Sequence, residues 1–172
     1  MNKTIEIIKS RVSCRVYSER RVPNSKLEQI LEAGKYAPSG RNRQICNILV
    51  VKNKKVLEKI RETLQANNGR ECLYGANLLC IVYGKRDEPL MVQDASCILE
   101  NMFIAATALK IDSCWINQLD DMLSDPANKK IRARLGIGDD ERVVGSIILG
   151  YRKEGTEIPV KPRKEDFVRI LK

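Results

Sequence analysis

The segment Gln93–Leu109 constrains this chain more than any other. Ala95, Ile98, Leu99, Met102, Ala105, Ala106 and Leu109 recur at helical spacing and make an apolar face wider than a surface helix needs. A helix of this kind has to be covered from several sides, so it is expected at the centre of the protein. It is not a membrane span. Glu100, Asn101 and Thr107 interrupt it, and no stretch of the chain approaches about 18 consecutive apolar residues.

The rest of the sequence supplies elements to pack around that helix. The chain has 172 residues, which suits one domain over 1–172 with a sizeable core. No repeat, low-complexity run or Gly/Ser/Pro-rich linker divides it. Met1–Arg11 reads as a short helix with Ile5 and Ile8 on one side, followed by an irregular stretch ending at Pro23. Ser25 and Glu28 have capping-box spacing, and Leu27, Ile30, Leu31 and Gly34 continue a helix to about Tyr36. Pro38-Ser39-Gly40 stops it, and the polar loop Arg41–Gln44 follows. Ile48–Val51, Leu78–Tyr83, Ser113–Ile116 and Val143–Leu149 read as strands. Asn53 is expected to cap a helix through about Leu64, with a loop over 65–75. A further helix is expected from Ser124, with Pro126 near its first turn and its end before Gly136. Helices alternating with a few strands at irregular spacing give an α+β or mixed α/β domain rather than a regular doubly wound sheet.

Composition excludes several chemistries. There is no histidine, so no Ser-His-Asp or Cys-His pair exists within the chain. An enzyme built this way is expected to leave the hard chemistry to a cofactor. The six cysteines form no C-x-x-C pair and are expected to be reduced thiols, with Cys80 and Cys97 packing as small hydrophobes. Metal-ligand spacing is absent. Met1–Lys9 carries no secretory pattern, so the cytoplasm is the expected location. The net charge of +9 reads either as a solvated basic surface or as attraction to an anion: a phosphorylated cofactor, an acidic substrate or nucleic acid. Nucleic acid is set aside, because aromatics are only 5% and no helix-turn-helix or RNA-binding signature occurs.

Neither a G-x-x-x-x-G-K-[ST] loop nor a G-x-G-x-x-G after a strand is present, and Gly136-Ile137-Gly138 reads as a helix stop. A phosphate site would therefore use side chains, and arginine's planar fork suits it. Arg11, Ser13 and Arg15 alternate, so in an extended segment they face one side and can converge on one anion. Alone, that pattern is also what an ordinary basic edge looks like. The loop Ala37-Pro38-Ser39-Gly40-Arg41-Asn42-Arg43-Gln44 leads into the Ile48 strand, and the central helix leads into Asp112-Ser113-Cys114-Trp115-Ile116.

Taken together, in this order and spacing, these segments resemble the nitroreductase family of FMN-dependent oxidoreductases from about Ile5 to Arg163. The resemblance implies an α+β sandwich, a central mixed sheet flanked by helices, and an intertwined homodimer with FMN at the interface. That fits a 93–109 helix too apolar for a 172-residue monomer to bury fully. It implies that Arg11 and Ser13 hold the FMN phosphate or ribityl chain. It places Arg15 near the pyrimidine edge, where its charge would stabilise anionic reduced flavin. Pro38, Ser39, Asn42 and the neighbouring Gln44 would reach the flavin from the partner subunit. The backbone at Trp115 and Ile116 would pass beside the ring, and Lys161 and Arg163 would close on the phosphate. Chemistry would be carried by the flavin, with NADH or NADPH as donor and a nitroaromatic, quinone or similar electron-poor small molecule as acceptor. A non-catalytic flavin protein for storage or redox sensing would carry the same binding residues.

The chain departs from the family pattern at four places. Ile45 and Cys46 stand where a proline and an aromatic residue are common. Lys110 replaces a glycine at the end of the central helix, and Asn117-Gln118 replaces a glutamate-glycine pair beside the flavin. The stretch from Tyr83 to Gln93 has no room for the extra helices that cover the site in larger members, so an open pocket is expected.

Overall fold

The structure, a computed structural model, describes all 172 residues apart from the side chain of Asn68. Its elements are α1 (Lys3–Ser10), α2 (Asn24–Lys35), β1 (Cys46–Val51), α3 (Lys54–Asn68), β2 (Leu78–Lys85), α4 (Met91–Ala108), β3 (Asp112–Ile116), α5 (Gln118–Ser124), α6 (Lys129–Arg134) and β4 (Glu141–Gly150). The strands form one sheet in the order β1-β2-β4-β3. Helices cover both faces, which is the α+β sandwich expected.

The three strand pairings are antiparallel, where a mixed sheet was expected. The connection between β1 and β2 explains the first of them. Pairing of Val51 with Leu79 puts the end of β1 beside the start of β2. The chain therefore runs out along α3, about 22 Å at 1.5 Å per residue, and back along 69–77. The one parallel contact outside the strands is the isolated bridge Ser13–Ser113, which lays the 11–17 segment along the free edge of β3.

One core lies between the sheet and α3 and α5, built from Leu57, Ile60, Leu64, Leu79, Ile81, Leu119 and Met122. The other lies between the sheet and α2 and α4, built from Leu27, Ile30, Cys80, Val82, Leu99, Met102 and Ile147. Strand β4 serves both. A bulge lets Val82 face Gly145 and Tyr83 face Val143, leaving Val144 as the extra residue. Past it the alternation slips by one, so Ile147 and Leu149 face α4 and Ile148 faces the opposite core.

Several local expectations are corrected. Pro23 occupies the N-cap of α2 with no side-chain cap bond, so the Ser25–Glu28 box does not form and both residues lie inside the helix. Asn53 does cap α3, accepting from the Val56 N–H at 3.1 Å. That helix runs past Leu64 through residues expected as loop and stops at Gly69, which takes a left-handed φ of 69°. Helix α5 was not anticipated, although Leu119, Met122 and Leu123 are buried at helical spacing. Asp125, not Ser124, caps the next turn (Pro126–Asn128), and α6 follows, ending before Gly136. On α1, Ile5 and Ile8 face solvent and no residue is buried. All six cysteines are free; Cys80 is fully buried as expected, and Cys97 is half-buried.

Helix α4 ends in a Schellman motif. The Ile111 N–H donates to Ala106 O at 2.8 Å and the Lys110 N–H to Thr107 O at 3.1 Å. Lys110 sits at the left-handed position, φ 56°, explaining why glycine is common there. Lys110→Gly removes a side-chain penalty of about 1–2 kcal/mol, partly offset by glycine's larger entropy loss of about 0.5–1 kcal/mol. The expected result is a melting temperature higher by about 1–4 °C for a chain of this size, read by thermal denaturation.

Buried thiols predict alkaline sensitivity. Burial pushes Cys80 from 9.0 up to about 12, with nearby Lys52 opposing, and burial together with Asp94 pushes Cys46 up to about 11. The folded protein keeps these protons where the unfolded chain releases them. Stability contributed by the protonated thiols is therefore complete below about pH 9 and is lost as pH rises towards 11–12. Melting temperature should fall over that window, and less steeply in Cys80→Ala. Equal slopes in the two proteins would contradict this.

Candidate functional site

The 11–17 segment lies against the edge of β3, held by the Cys14 N–H donating to Ser113 O at 2.9 Å. Cys14 and Tyr17 turn inward, while Arg11 and Ser13 are half-buried and Arg15 is exposed. Arg11 Nη1 lies 3.4 Å from Ser13 Oγ, and its guanidinium carbon lies 5.8 Å from the centre of the Phe103 ring. Phe103 and Trp115 stack with centroids 6.2 Å apart. Trp115 can lie flat because Gly145 is beneath it: a Cβ there would come within 2.4 Å of the indole. Gly145 thus leaves room for Trp115, which stacks on the Phe103 ring that lies under Arg11.

The same three polar residues surround the buried Cys114 thiol. Burial pushes its pKa up, while the Arg15 charge, the Ser13 hydroxyl and the Arg11 charge oppose it. Arg11 and Ser13 are thus in contact, with the exposed Arg15 two residues further along the same edge segment. Among the described residues, neither Arg11 nor Arg15 forms an ion pair. The contrast is Arg152, which donates to both carboxylate oxygens of Asp112 through Nε and its backbone N–H (2.9 Å each) and pins the segment's far end beside the Tyr17–Arg152 bridge. Two unpaired guanidiniums and a hydroxyl beside stacked aromatics make a donor set suited to a phosphate-bearing, planar ligand.

The loop at 38–44 is a second locality. Ser39 Oγ accepts from the Gln44 N–H at 3.1 Å, and Gln44 Nε2 donates to Asn42 Oδ1 at 3.0 Å. Arg41, Asn42 and Gln44 all have positive φ, 54°, 54° and 50°, a conformation costing side-chain-bearing residues about 1–2 kcal/mol each and less for asparagine. Pro38, Ser39 and Gln44 border a cavity of about 560 Å³, whose apolar wall is Leu31, Ile45, Ile48, Val50 and Ile98. None of Arg11, Ser13, Arg15 or Trp115 lines it.

Helix α4 separates the two localities. The loop docks on Asp94 and Arg11 on Phe103. Nine residues is two and a half helical turns, so these contacts lie on opposite sides of the helix and about 13 Å apart along it. One chain does not bring the two groups onto a single ligand. Lys161 and Arg163 lie on the exposed tail; Arg163 donates to Lys161 O at 2.9 Å, and among the described residues no hydrogen bond or ion pair joins either to Arg11, Ser13 or Arg15. Ile116 is buried behind β3 and has only its backbone to offer.

Sequence reasoning missed Phe103, the ring under Arg11, and Asp94, the carboxylate under the loop. Asp94 had a visible signal: it occupies a core position between Met91 and Ile98, where the surrounding helical face is apolar.

The sequence matches the family model described as Nitroreductase family over residues 8–151. A protein of Archaeoglobus fulgidus, provisionally named NADH dehydrogenase/NAD(P)H nitroreductase, is 31% identical over 156 residues, covering 90% of this chain and 88% of that one. Among solved structures, a nitroreductase of Bacteroides fragilis NCTC 9343 with bound FMN superposes with a TM-score of 0.92 at 34% identity, covering the whole of both chains. A nitroreductase of Desulfitobacterium hafniense DCB-2 shares the fold over the whole of both chains, TM-score 0.89, at 24% identity. With its sandwich, its edge segment of unpaired arginines and these matches, the chain belongs to the nitroreductase family.

Proposed function

We propose that this protein is an FMN-dependent oxidoreductase that works as a homodimer in the cytoplasm. It takes electrons from NADH or NADPH and delivers them to an electron-poor acceptor such as a nitroaromatic or a quinone. The observation that carries this reading is the unpaired Arg11–Ser13–Arg15 set beside Phe103 and Trp115. The FMN bound by the Bacteroides fragilis relative supports it. Bound FMN supplies the hydride and electron chemistry that the side chains of this histidine-free chain lack.

The chain's own residues bind and tune. Arg11 and Ser13 donate to the phosphate or ribityl oxygens, and Lys161 and Arg163 of the tail close on the phosphate. Arg15, which is exposed, would place its positive charge near the pyrimidine edge of bound FMN and so favour the anionic reduced form. The backbone of Trp115 and Ile116 runs beside the ring. Pro38, Ser39, Asn42 and Gln44 come from the partner subunit, in keeping with their docking across α4 from Arg11. The dimer also gives cover to apolar side chains that one chain leaves in water: Ile5, Ile8, Val92, Phe167, Ile170 and Leu171. Among the described residues, no helix is long and apolar enough to cross a membrane.

Arg11→Ala is expected to weaken FMN binding by about 1.5–3 kcal/mol, the value of a charge-assisted hydrogen bond, read by fluorescence titration of the apoprotein. Unchanged affinity removes Arg11 from the site. Arg15→Ala is expected to lower the flavin reduction potential, measured by dye equilibration; an unshifted potential places Arg15 elsewhere. The whole reading is tested by absorbance under anaerobic NADPH and then NADH. A yellow protein that bleaches supports the oxidoreductase. One that stays yellow points to flavin storage or redox sensing, and a colourless protein that takes up no added FMN overturns the assignment.

A further inference from the structure

The 38–44 loop holds three non-glycine residues at positive φ within four positions. Its internal bonds are short-range: the Asn42 N–H to Ser39 O at 3.0 Å, the Arg43 N–H to Gly40 O at 3.1 Å, and the two Gln44 bonds described above. These bonds shape the loop but do not fix it to the body. The attachments come from the segment that enters α4. The Gly40 N–H donates to both oxygens of the Asp94 carboxylate, at 3.0 and 3.3 Å. Arg43 Nη2 pairs with Glu88 at 2.6 Å. The Leu90 side chain covers Gly40 so closely that a Cβ there would come within 2.2 Å of it.

Asp94 is the innermost of these attachments, with 5% of its surface exposed. It belongs to the first turn of the most deeply buried helix, so it cannot follow the loop if the loop moves. The Gly40 N–H is shared between the two oxygens, mainly with the nearer one at 3.0 Å, and the burial of Asp94 keeps water from replacing that acceptor. The 84–93 stretch, too short here to carry a covering helix, thus serves as a brace on the loop.

We propose that Asp94 is a positioning residue: with Glu88 and Leu90 it clamps the 38–44 loop in its left-handed conformation, and so sets how tightly flavin is held. This rests on the FMN reading above, in which that loop reaches the partner's flavin. Asp94 also borders the cavity beside the loop, and the role proposed for it is exerted through the Gly40 N–H. Without its acceptor the Gly40 N–H is left unsatisfied, and the left-handed residues relax towards ordinary backbone.

The test uses the full-length protein, with Asp94→Ala, Asp94→Asn and Glu88→Gln. Trypsin cleavage after Arg41 and Arg43 in the FMN-free protein, followed by mass spectrometry, reads the loop directly; FMN titration reads the site. Asp94→Ala is expected to speed cleavage at these two sites at least tenfold and raise the FMN dissociation constant at least tenfold. Asp94→Asn keeps an acceptor oxygen and should restore both to within about threefold of wild type, which general destabilisation would not do. Unchanged cleavage in Asp94→Ala, with FMN bound normally by wild type, overturns the clamp and leaves the flavin reading intact. Faster cleavage with unchanged FMN affinity overturns the link to flavin. If Asp94→Ala does not fold, Glu88→Gln decides at the exposed end: about twofold faster cleavage with about twofold weaker FMN binding supports the proposal, and no change in either overturns it. A wild-type protein that takes up no FMN is a failure of the flavin reading itself and brings this proposal down with it.

Discussion

Burial of α4 is the interaction on which the rest of the structure depends. Leu99, Met102 and Phe103 are each almost wholly removed from water, worth about 1.5–3 kcal/mol apiece. The helix gets this cover from α2 on one side and from the sheet on the other. Because most of its length is held between them, its opposite faces become fixed reference points. Asp94 on one face anchors the loop, and Phe103 on the other supports Arg11. The core is therefore also the ruler of the candidate site: it sets the two binding groups at a defined angle and separation before any ligand is present.

Strain is distributed in keeping with that division. Among the described residues, positive φ at non-glycine positions occurs in the 38–44 loop, at Tyr74 and at Lys110. At Lys110 the cost is local, and the Schellman bonds at the end of α4 offset it. In the loop three such residues are held together, and the attachments come from outside it, through Glu88, Leu90 and Asp94. Clustered strain of this kind persists only where the surroundings over-determine it. The loop is also the part of the chain that the family resemblance assigns to flavin contact.

The sequence made legible whatever is written in periodicity. The central helix, the four strands and the Asn53 cap follow from spacing and local side-chain chemistry, and all are present within a few residues. The Arg11–Ser13 contact was legible for the same reason: a period of two along an extended edge puts them on one side. Strand direction was not legible, because it depends on the path of 69–77 after α3 and not on any local pattern. The end of α3 was misread because polar residues after Leu64 look like loop, yet a helix goes on until a residue such as Gly69 lets it stop. Apolar spacing on α1 misled in another way: Ile5 and Ile8 mark a face, but periodicity does not say whether the partner for that face lies in the same chain.

The two exceptions to polar-out, apolar-in patterning carry the most information. Asp94 is a carboxylate in a core register, and Arg11 is a guanidinium half-buried on an aromatic ring without an acid partner. Each breaks a rule of efficient folding, and each is costly unless something compensates it. For Asp94 the compensation is within the chain, in the Gly40 N–H. For Arg11 it is incomplete, since the Phe103 face and a 3.4 Å contact to Ser13 leave most of its donors open. With 31 basic and 22 acidic residues, many basic side chains go unpaired, and what sets Arg11 apart is its half-buried place on the Phe103 ring. Arg11 and Arg15, without acid partners on the same edge, are what the proposed FMN site would need, with a negative group from outside the chain as their counterpart.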